Sequence, residues 1–122
     1  MPKKVLVVDD EPQIVLLVSG RLKANGFEVI EASNGEEGLR KAKSERPDLI
    51  LLDVMMPGMD GYEVCAALKS DQRYKDIPII LFTAKAGEEA QRVGLEDCGA
   101  NGYVTKPFEP SALLSKISEF LN

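Results

Sequence analysis

The chain has 122 residues, 44% of them hydrophobic and 29% charged, and this predicts one globular domain over residues 1–122. The net charge of −5 is unfavourable for direct nucleic-acid binding, and the apolar runs are too short for a membrane span or a signal peptide, so we expect a cytoplasmic protein that binds neither. The chain has no histidine, which excludes histidine-based catalysis. Its two cysteines form no CxxC pattern, so the sequence indicates neither a zinc site nor a redox pair and predicts two reduced thiols that pack in the core.

Five short apolar runs predict β-strands. Continuous runs rich in Val and Ile are typical of parallel strands covered on both faces. The second run, FEVIEA, is more mixed, as an edge strand would be. Pro78 stands near the start of the fourth run, where a strand tolerates proline. The runs are Val5–Val8, Phe27–Ala32, Leu49–Leu52, Ile77–Phe82 and the weaker Tyr103–Val104.

Helical signals fill the segments between these strands. Pro12 suits the first turn of the first helix and Gly26 its end, and Pro110 stands early in the last helix. Apolar residues at helical spacing predict the buried faces of these two helices. These residues are Ile14, Leu17, Val18 and Leu22 in the first helix, and Leu113, Leu114, Ile117, Phe120 and Leu121 in the last.

The middle helices have cap signals of unequal strength. Ser33 with Glu36, and Asp60 with Glu63, have the spacing of a capping box. The fourth segment, residues 87–97, holds two glycines and few apolar residues, so we expect loose packing there.

The alternation of strand and helix predicts a doubly wound α/β domain with right-handed crossovers. Such sheets bind ligands outside the carboxyl ends of their strands. Polar residues follow four of the five predicted strands: Asp9, Asp10, Asp53, Thr83 and Lys106.

These side chains predict one site at one edge of the sheet. Clustered carboxylates raise each other's pKa unless cations neutralise them. Lys106 supplies one cation, and carboxylate and carbonyl oxygens suit Mg²⁺. A carboxylate beside a metal can act as a nucleophile and form an acyl phosphate. Each residue alone is ordinary, since a strand-end aspartate often caps the next helix and a lysine before proline is usually solvated, so the prediction rests on their joint occurrence.

At these residues the sequence resembles the receiver domains of two-component response regulators, and in particular chemotaxis receivers. Its motifs are VLVVDDE (5–11), LLDVMMPGMDG (51–61), ILFTA (80–84) and YVTKPF (103–108), which together cover essentially the whole chain. The resemblance implies a flavodoxin-like, five-stranded parallel sheet in the order 2-1-3-4-5 with five helices.

The resemblance also implies roles for the site residues. Asp53 would accept a phosphoryl group from a histidine kinase or a phosphotransfer protein. Asp10 and Asp53 would ligate Mg²⁺ by their side chains, Met55 by its main-chain oxygen, and Asp9 through a water. Lys106 would pair with the phosphoryl oxygens. The Lys106–Pro107 peptide would be cis, which proline makes reasonable.

Signal output would use a switch. The resemblance implies that Thr83 binds the phosphoryl group and moves together with the ring of Tyr103. The face formed by the fourth helix, fifth strand and fifth helix would then bind a downstream protein or a fused output domain, and the chain would be a monomer or a weak dimer. Because the chain ends one residue after Leu121, we expect no output module within it, and a stand-alone receiver and a module of a longer chain fit equally well.

The loop after Asp53 has its own predictions. In MMPGMDG, Pro57 limits the conformations of a turn in which Gly58 and Gly61 permit unusual φ. In the family, the residues two beyond the phosphoacceptor and two beyond the threonine flank the path of the hydrolytic water. These are Met55 and Lys85, neither of which orients water well, so we expect slow self-dephosphorylation and no other enzymatic activity.

Two other classes of protein share parts of this pattern. The first is a Mg²⁺-dependent phosphatase with an aspartate nucleophile, but Asp53 is followed by VMM, without the second carboxylate of the DxDx[TV] motif. The second is a flavin-binding module, but the acidic DDEPQ after the first strand would repel a phosphate.

Overall fold

The computed structural model describes residues 2–121 and contains one five-stranded parallel sheet in the order β2-β1-β3-β4-β5. The predicted doubly wound order is thereby confirmed, with the mixed strand β2 at an edge. The strands are β1 (Lys4–Val8), β2 (Glu28–Ala32), β3 (Leu49–Leu52), β4 (Ile79–Thr83) and β5 (Gly102–Thr105).

Helices connect successive strands and cover both faces of the sheet. None of the helices within residues 2–121 is long and apolar enough to cross a membrane. The helices are α1 (Pro12–Ala24), α2 (Gly35–Glu45), α3 (Gly61–Lys69), α4 (Glu88–Arg92), which continues into a π-helical turn (Val93–Asp97), and α5 (Pro110–Ser118).

The core has two halves because successive side chains of each strand point to opposite faces. Val5 and Val7 of β1 pack with residues of α1 and α5, and Leu6 and Val8 pack with residues of α2 and α3. All four residues of β3 are buried, which explains its uninterrupted apolar run.

One predicted core residue of α1 is exposed. Leu17 is 47% exposed, whereas Val18 and Leu22 are buried and Ile14 packs against the same core. The buried face of α1 follows the i, i+4, i+8 row from Ile14, and Leu17 lies outside this row because it is offset by one residue.

The predicted capping box of α2 is wrong by one residue. Asn34, not Ser33, is the N-cap, and its side chain accepts the Glu37 N–H at 2.8 Å. Glu37, not Glu36, accepts the Ser33 N–H at 2.6 Å. The helix begins at Gly35, where a Cβ would collide with the carbonyl of Met59, so packing against Met59 requires glycine at this position.

The cap of α3 is as predicted. Asp60 accepts the Glu63 N–H at 2.9 Å, and the Glu63 side chain accepts the Asp60 N–H at 3.1 Å. Gly58 has the positive φ expected of it, at 77°, but Gly61 has no positive φ. Gly61 is needed for a different reason, because a Cβ there would collide with the carbonyl of Asp53.

Helix α4 has little buried surface, as expected. Its five residues bury only Ala90, and its N-cap Gly87 offers no side-chain hydrogen bond. The Cys98 N–H donates to the carbonyl of Val93 at 2.9 Å, an i to i+5 bond that widens the helix into the π-helical turn.

Candidate functional site

Four strand ends bring the predicted polar residues to one edge of the sheet. Asp9 and Asp10 follow β1, Asp53 follows β3, Thr83 ends β4, and Lys106 follows β5. One carboxylate oxygen from each of the three aspartates lies within 4.8 Å of the other two. Adjacent parallel strands in register produce this convergence: the Asp53 N–H donates to the Val8 carbonyl at 2.9 Å.

Lys106 is the cation of this cluster. Its Nζ lies 2.6 Å from Oδ2 of Asp9, 3.5 Å from Oε1 of Glu11 and 3.7 Å from Oδ2 of Asp53. The main-chain N–H of Lys106 donates to the Thr83 carbonyl at 2.8 Å, so β4 fixes the backbone from which the Lys106 side chain extends. The Lys106–Pro107 peptide is cis, as expected.

The surroundings of Lys106 keep it charged. Burial disfavours its ammonium, but the hydrogen bond to Asp9 and the charges of Asp53, Asp9 and Glu11 outweigh burial and raise its pKa. The Nζ also lies 4.9 Å from the ring centroid of Phe82, a favourable position for a cation.

The two aspartates after β1 have different environments. Asp9 is buried and accepts the Glu11 N–H at 2.9 Å in addition to the Lys106 ammonium. Asp10 is exposed. Asp9 is therefore held in place by protein groups, while Asp10 has open space for a further ligand.

Asp53 is buried at the end of β3, and its carboxylate is destabilised there. Burial, followed by the charge of Asp9, raises its pKa from 3.8 to about 6, against the opposing effects of Lys106, the Thr83 hydroxyl and the Met55 amide. The Met55 N–H donates to Oδ1 of Asp53 at 3.3 Å, while the Met55 side chain is 58% exposed. An additional cation beside Asp53 would lower the energetic cost of keeping this buried carboxylate charged.

The three aspartates fit a divalent metal such as Mg²⁺. Mg²⁺ prefers oxygen ligands and usually binds through one or two carboxylates, waters and a phosphate. Three carboxylate oxygens within 4.8 Å of one another, one of them on an exposed residue, could supply the carboxylate ligands of such a metal site.

Thr83 and Tyr103 meet at the main chain of Lys85. The Thr83 hydroxyl accepts the Lys85 N–H at 3.2 Å, and the Tyr103 hydroxyl donates to the Lys85 carbonyl at 2.6 Å. Thr83 is fully buried, whereas Tyr103 is half-buried and packs against the core. One residue of the β4–α4 loop therefore connects the two predicted switch residues.

Two contributors to the site did not emerge from the sequence. Phe82 reads as an ordinary core residue, and its contact with Lys106 depends on how β4 and β5 pair. Lys85 contributes through its main-chain N–H and carbonyl, which every residue other than proline has, so its residue type gives no signal in the sequence.

Comparisons with known proteins identify the family of the chain. A family model described as "Response regulator receiver domain" matches residues 5–118. The chain is 49% identical over 121 residues to the alkaline phosphatase synthesis transcriptional regulatory protein PhoP of Bacillus subtilis (strain 168). The aligned region covers 99% of this chain and 49% of that protein. It is 42% identical over 119 residues to the phosphate regulon transcriptional regulatory protein PhoB of Pseudomonas aeruginosa, covering 98% of this chain and 52% of that protein. The chain thus spans about half the length of these relatives.

Solved structures of similar fold also belong to this family. The chemotaxis protein CheY4 of Vibrio cholerae has a TM-score of 0.93 at 39% identity, covering 99% of this chain and all 100% of that one. The BeF3-activated receiver domain of RstA from Klebsiella pneumoniae has a TM-score of 0.90 at 29% identity, covering 98% of both chains. On its sequence, its fold and the composition of its site, the chain belongs to the receiver domains of two-component response regulators.

Proposed function

We propose that Asp53 is the phosphoacceptor of this receiver domain. A carboxylate oxygen of Asp53 attacks the phosphorus of a phosphohistidine, the new P–O bond forms, and the P–N bond breaks with its electron pair left on the imidazole. The observation that supports this most is the position of Asp53 Oδ2, 3.7 Å from the Lys106 ammonium and within a cluster of carboxylates suited to a metal. The rigid strand β3 holds this nucleophile at the edge of the sheet.

Mg²⁺ is part of the proposal. Asp10 and Asp53 would hold it by their carboxylates, Met55 by its main-chain oxygen and Asp9 through a water. When bound, the ion neutralises charge on the carboxylates and on the phosphoryl oxygens.

Lys106 and Thr83 would recognise the phosphoryl group. Phosphorylation adds about −1.5 to −2 charges and three acceptor oxygens. The Lys106 ammonium is 3.7 Å from the accepting carboxylate, and a phosphoryl oxygen there would give it a second anionic partner besides Asp9. The Thr83 hydroxyl would donate to another phosphoryl oxygen.

The proposed switch runs through Lys85. In this structure the Thr83 hydroxyl accepts the Lys85 N–H at 3.2 Å, and a rotation of Thr83 toward the phosphoryl group would weaken or break that bond. The Lys85 carbonyl is bound to the Tyr103 hydroxyl, so a shift of this loop changes the position of Tyr103. Phosphorylation would thereby shift the balance between two conformations of the surface formed by α4, β5 and α5.

The partners follow from this role. The proposed donor is a histidine kinase or a phosphotransfer protein in the cytoplasm. The proposed receiver of the signal is a downstream protein or a fused output domain that contacts α4, β5 and α5, while the domain itself is a monomer or a weak dimer without a nucleic-acid or membrane contact. Two relatives are named as transcriptional regulatory proteins, which supports a fused output domain in a longer chain.

We also propose that the domain has no turnover activity beyond slow self-dephosphorylation. Met55 is 58% exposed beside Asp53, and its thioether offers no strong hydrogen bond to a hydrolytic water. The ammonium of Lys85 lies 5.1 Å from the ring centroid of Tyr62, which gives it a partner outside the site.

Incubation with acetyl phosphate and Mg²⁺, followed by intact-mass measurement, tests the proposal. We expect a gain of one phosphoryl group on the unmodified domain, none on Asp53→Asn and none when EDTA removes the metal. Asp48→Asn is the matched control, because Asp48 is an exposed aspartate that accepts the Lys4 N–H beside β1. Equal modification of Asp53→Asn would overturn the assignment, and continuous phosphate release from p-nitrophenyl phosphate would indicate the phosphatase alternative.

A further inference from the structure

Tyr62 connects helix α3 to helix α4. Its half-buried side chain extends from the second residue of α3, and its hydroxyl donates to the main-chain carbonyl of Ala90 at 3.0 Å. None of the predicted site or switch residues makes this contact.

The bond matters because α4 has few other attachments. Ala90 is the only buried residue of this five-residue helix, and Gly87 gives it no side-chain cap. The Tyr62 hydroxyl therefore binds α4 at the one residue that is packed into the domain. In a helix with so little buried area, a single hydrogen bond is a large share of what holds its position.

Tyr62 also contacts the segment that joins the phosphorylation site to α4. The Lys85 ammonium lies 5.1 Å from its ring centroid, and the main chain of Lys85 binds Thr83 and Tyr103. The neighbouring Gly61 packs directly on the carbonyl of Asp53. A shift of the β4–α4 loop therefore changes the surroundings of Tyr62, whose own backbone is fixed beside the phosphoacceptor.

We propose that Tyr62 is a positioning residue that holds α4 in the unphosphorylated arrangement through its hydroxyl bond to Ala90, and that activation breaks this bond. The inference rests on the proposed function, in which phosphorylation moves the β4–α4 loop. It adds a second restraint on α4 besides the Thr83–Lys85–Tyr103 connection. Removing the hydroxyl then favours the activated arrangement.

Tyr62→Phe tests this, since it removes the hydroxyl and keeps the ring beside Lys85. In the absence of any phosphoryl mimic, we expect faster amide exchange across residues 87–97 than in the unmodified domain. In a titration with beryllofluoride and Mg²⁺ followed by amide NMR shifts, we expect the apparent Kd to fall by roughly two- to tenfold, the ratio that the loss of one hydrogen bond produces. The matched control is Tyr74→Phe, because the Tyr74 ring contacts the guanidinium groups of Arg46 and Arg73 before β4, and this variant has to leave both quantities unchanged.

The outcomes separate this inference from the proposed function. Unchanged exchange, an unchanged Kd or a raised Kd in Tyr62→Phe would overturn the restraint, because the bond would then be absent, equally strong in both arrangements or stronger in the activated one. If the unmodified domain itself is not phosphorylated on Asp53 by acetyl phosphate, the proposed function fails instead, whatever Tyr62→Phe does. A melting temperature measured for both variants shows that each is folded before it is compared.

Discussion

The shortest ion pair of Lys106 is with Asp9, at 2.6 Å, and not with Asp53, which lies at 3.7 Å. The ammonium therefore stabilises the neighbour of the proposed phosphoacceptor more than the phosphoacceptor itself. Asp53 keeps a raised pKa of about 6, caused first by burial and then by the charge of Asp9. Lys106 is thus placed to hold the acidic cluster together before phosphorylation and to meet a phosphoryl oxygen afterwards.

Lys106→Met should destabilise the domain at pH 7. Asp9 would keep a buried carboxylate without its cation, and breaking a buried pair from one side costs about 3 kcal/mol. Urea unfolding measures the change in the free energy of unfolding. Lys116→Met is the control, because the pair of Lys116 with Glu119 is 3.7 Å long and more exposed, and we expect it to lose less than about 1 kcal/mol. Similar losses in the two variants would contradict the structural role given to Lys106.

Asp53→Asn should stabilise the metal-free domain, with a definite pH dependence. The pKa of Asp53 is raised on folding from 3.8 to about 6, so the unfolded chain loses this proton first, and the cost of burying the carboxylate grows as the pH rises between these values. Asparagine removes that cost. The gain should reach at most about 3 kcal/mol above pH 6 and disappear below about pH 4.

Urea unfolding of both proteins in EDTA, at pH 4 and at pH 7, measures this difference. Comparing the variant with the unmodified domain at each pH cancels the titration of the carboxylates that do not interact with Asp53. An equal difference at both pH values would show that Asp53 has no raised pKa.

Gly61→Ala should destabilise the domain even though Gly61 has no positive φ. Its Cβ would collide with the carbonyl of Asp53, and relief of this collision has to move α3 or the backbone of the phosphoacceptor. We expect a loss of about 1–3 kcal/mol on urea unfolding. Gly20→Ala is the matched control, because a Cβ at Gly20 of α1 meets no atom within 4 Å, and alanine in an exposed helix should gain about 0.5–1 kcal/mol. The two substitutions should therefore have opposite signs.

Met55→Asn should shorten the life of the phosphorylated domain. An amide beside Asp53 can orient a hydrolytic water, which the thioether of Met55 does poorly. The loss of phosphoryl mass after removal of acetyl phosphate gives the rate, and we expect an increase of about tenfold, which corresponds to one additional hydrogen bond to the hydrolytic water. Met55→Leu keeps an apolar side chain at this exposed position and should decay at the original rate. A Met55→Asn rate equal to that of Met55→Leu would remove Met55 as the reason for slow hydrolysis.

Much of the fold followed from local sequence patterns. The uninterrupted apolar run of β3 and the mixed run of β2 predicted a central and an edge strand, since burial on both faces demands apolar residues at every position. The Asp60–Glu63 box predicted the start of α3, because that cap involves only neighbours in sequence. The start of α2 was misplaced by one residue because Ser33 with Glu36 and Asn34 with Glu37 have the same spacing, and the helix uses Asn34 as its cap.

The sequence by itself determined which groups stand at the strand ends, since strand length and residue type are local properties. The parallel order then required these ends to share one edge of the sheet. Only the tertiary structure decided how the charges are partnered: that Lys106 binds Asp9 most closely, that Lys85 connects Thr83 with Tyr103, and that Tyr62 reaches α4. Except for the bond between Lys85 and Thr83, these contacts join residues far apart in the chain, and they depend on how the elements pack, which no local pattern encodes.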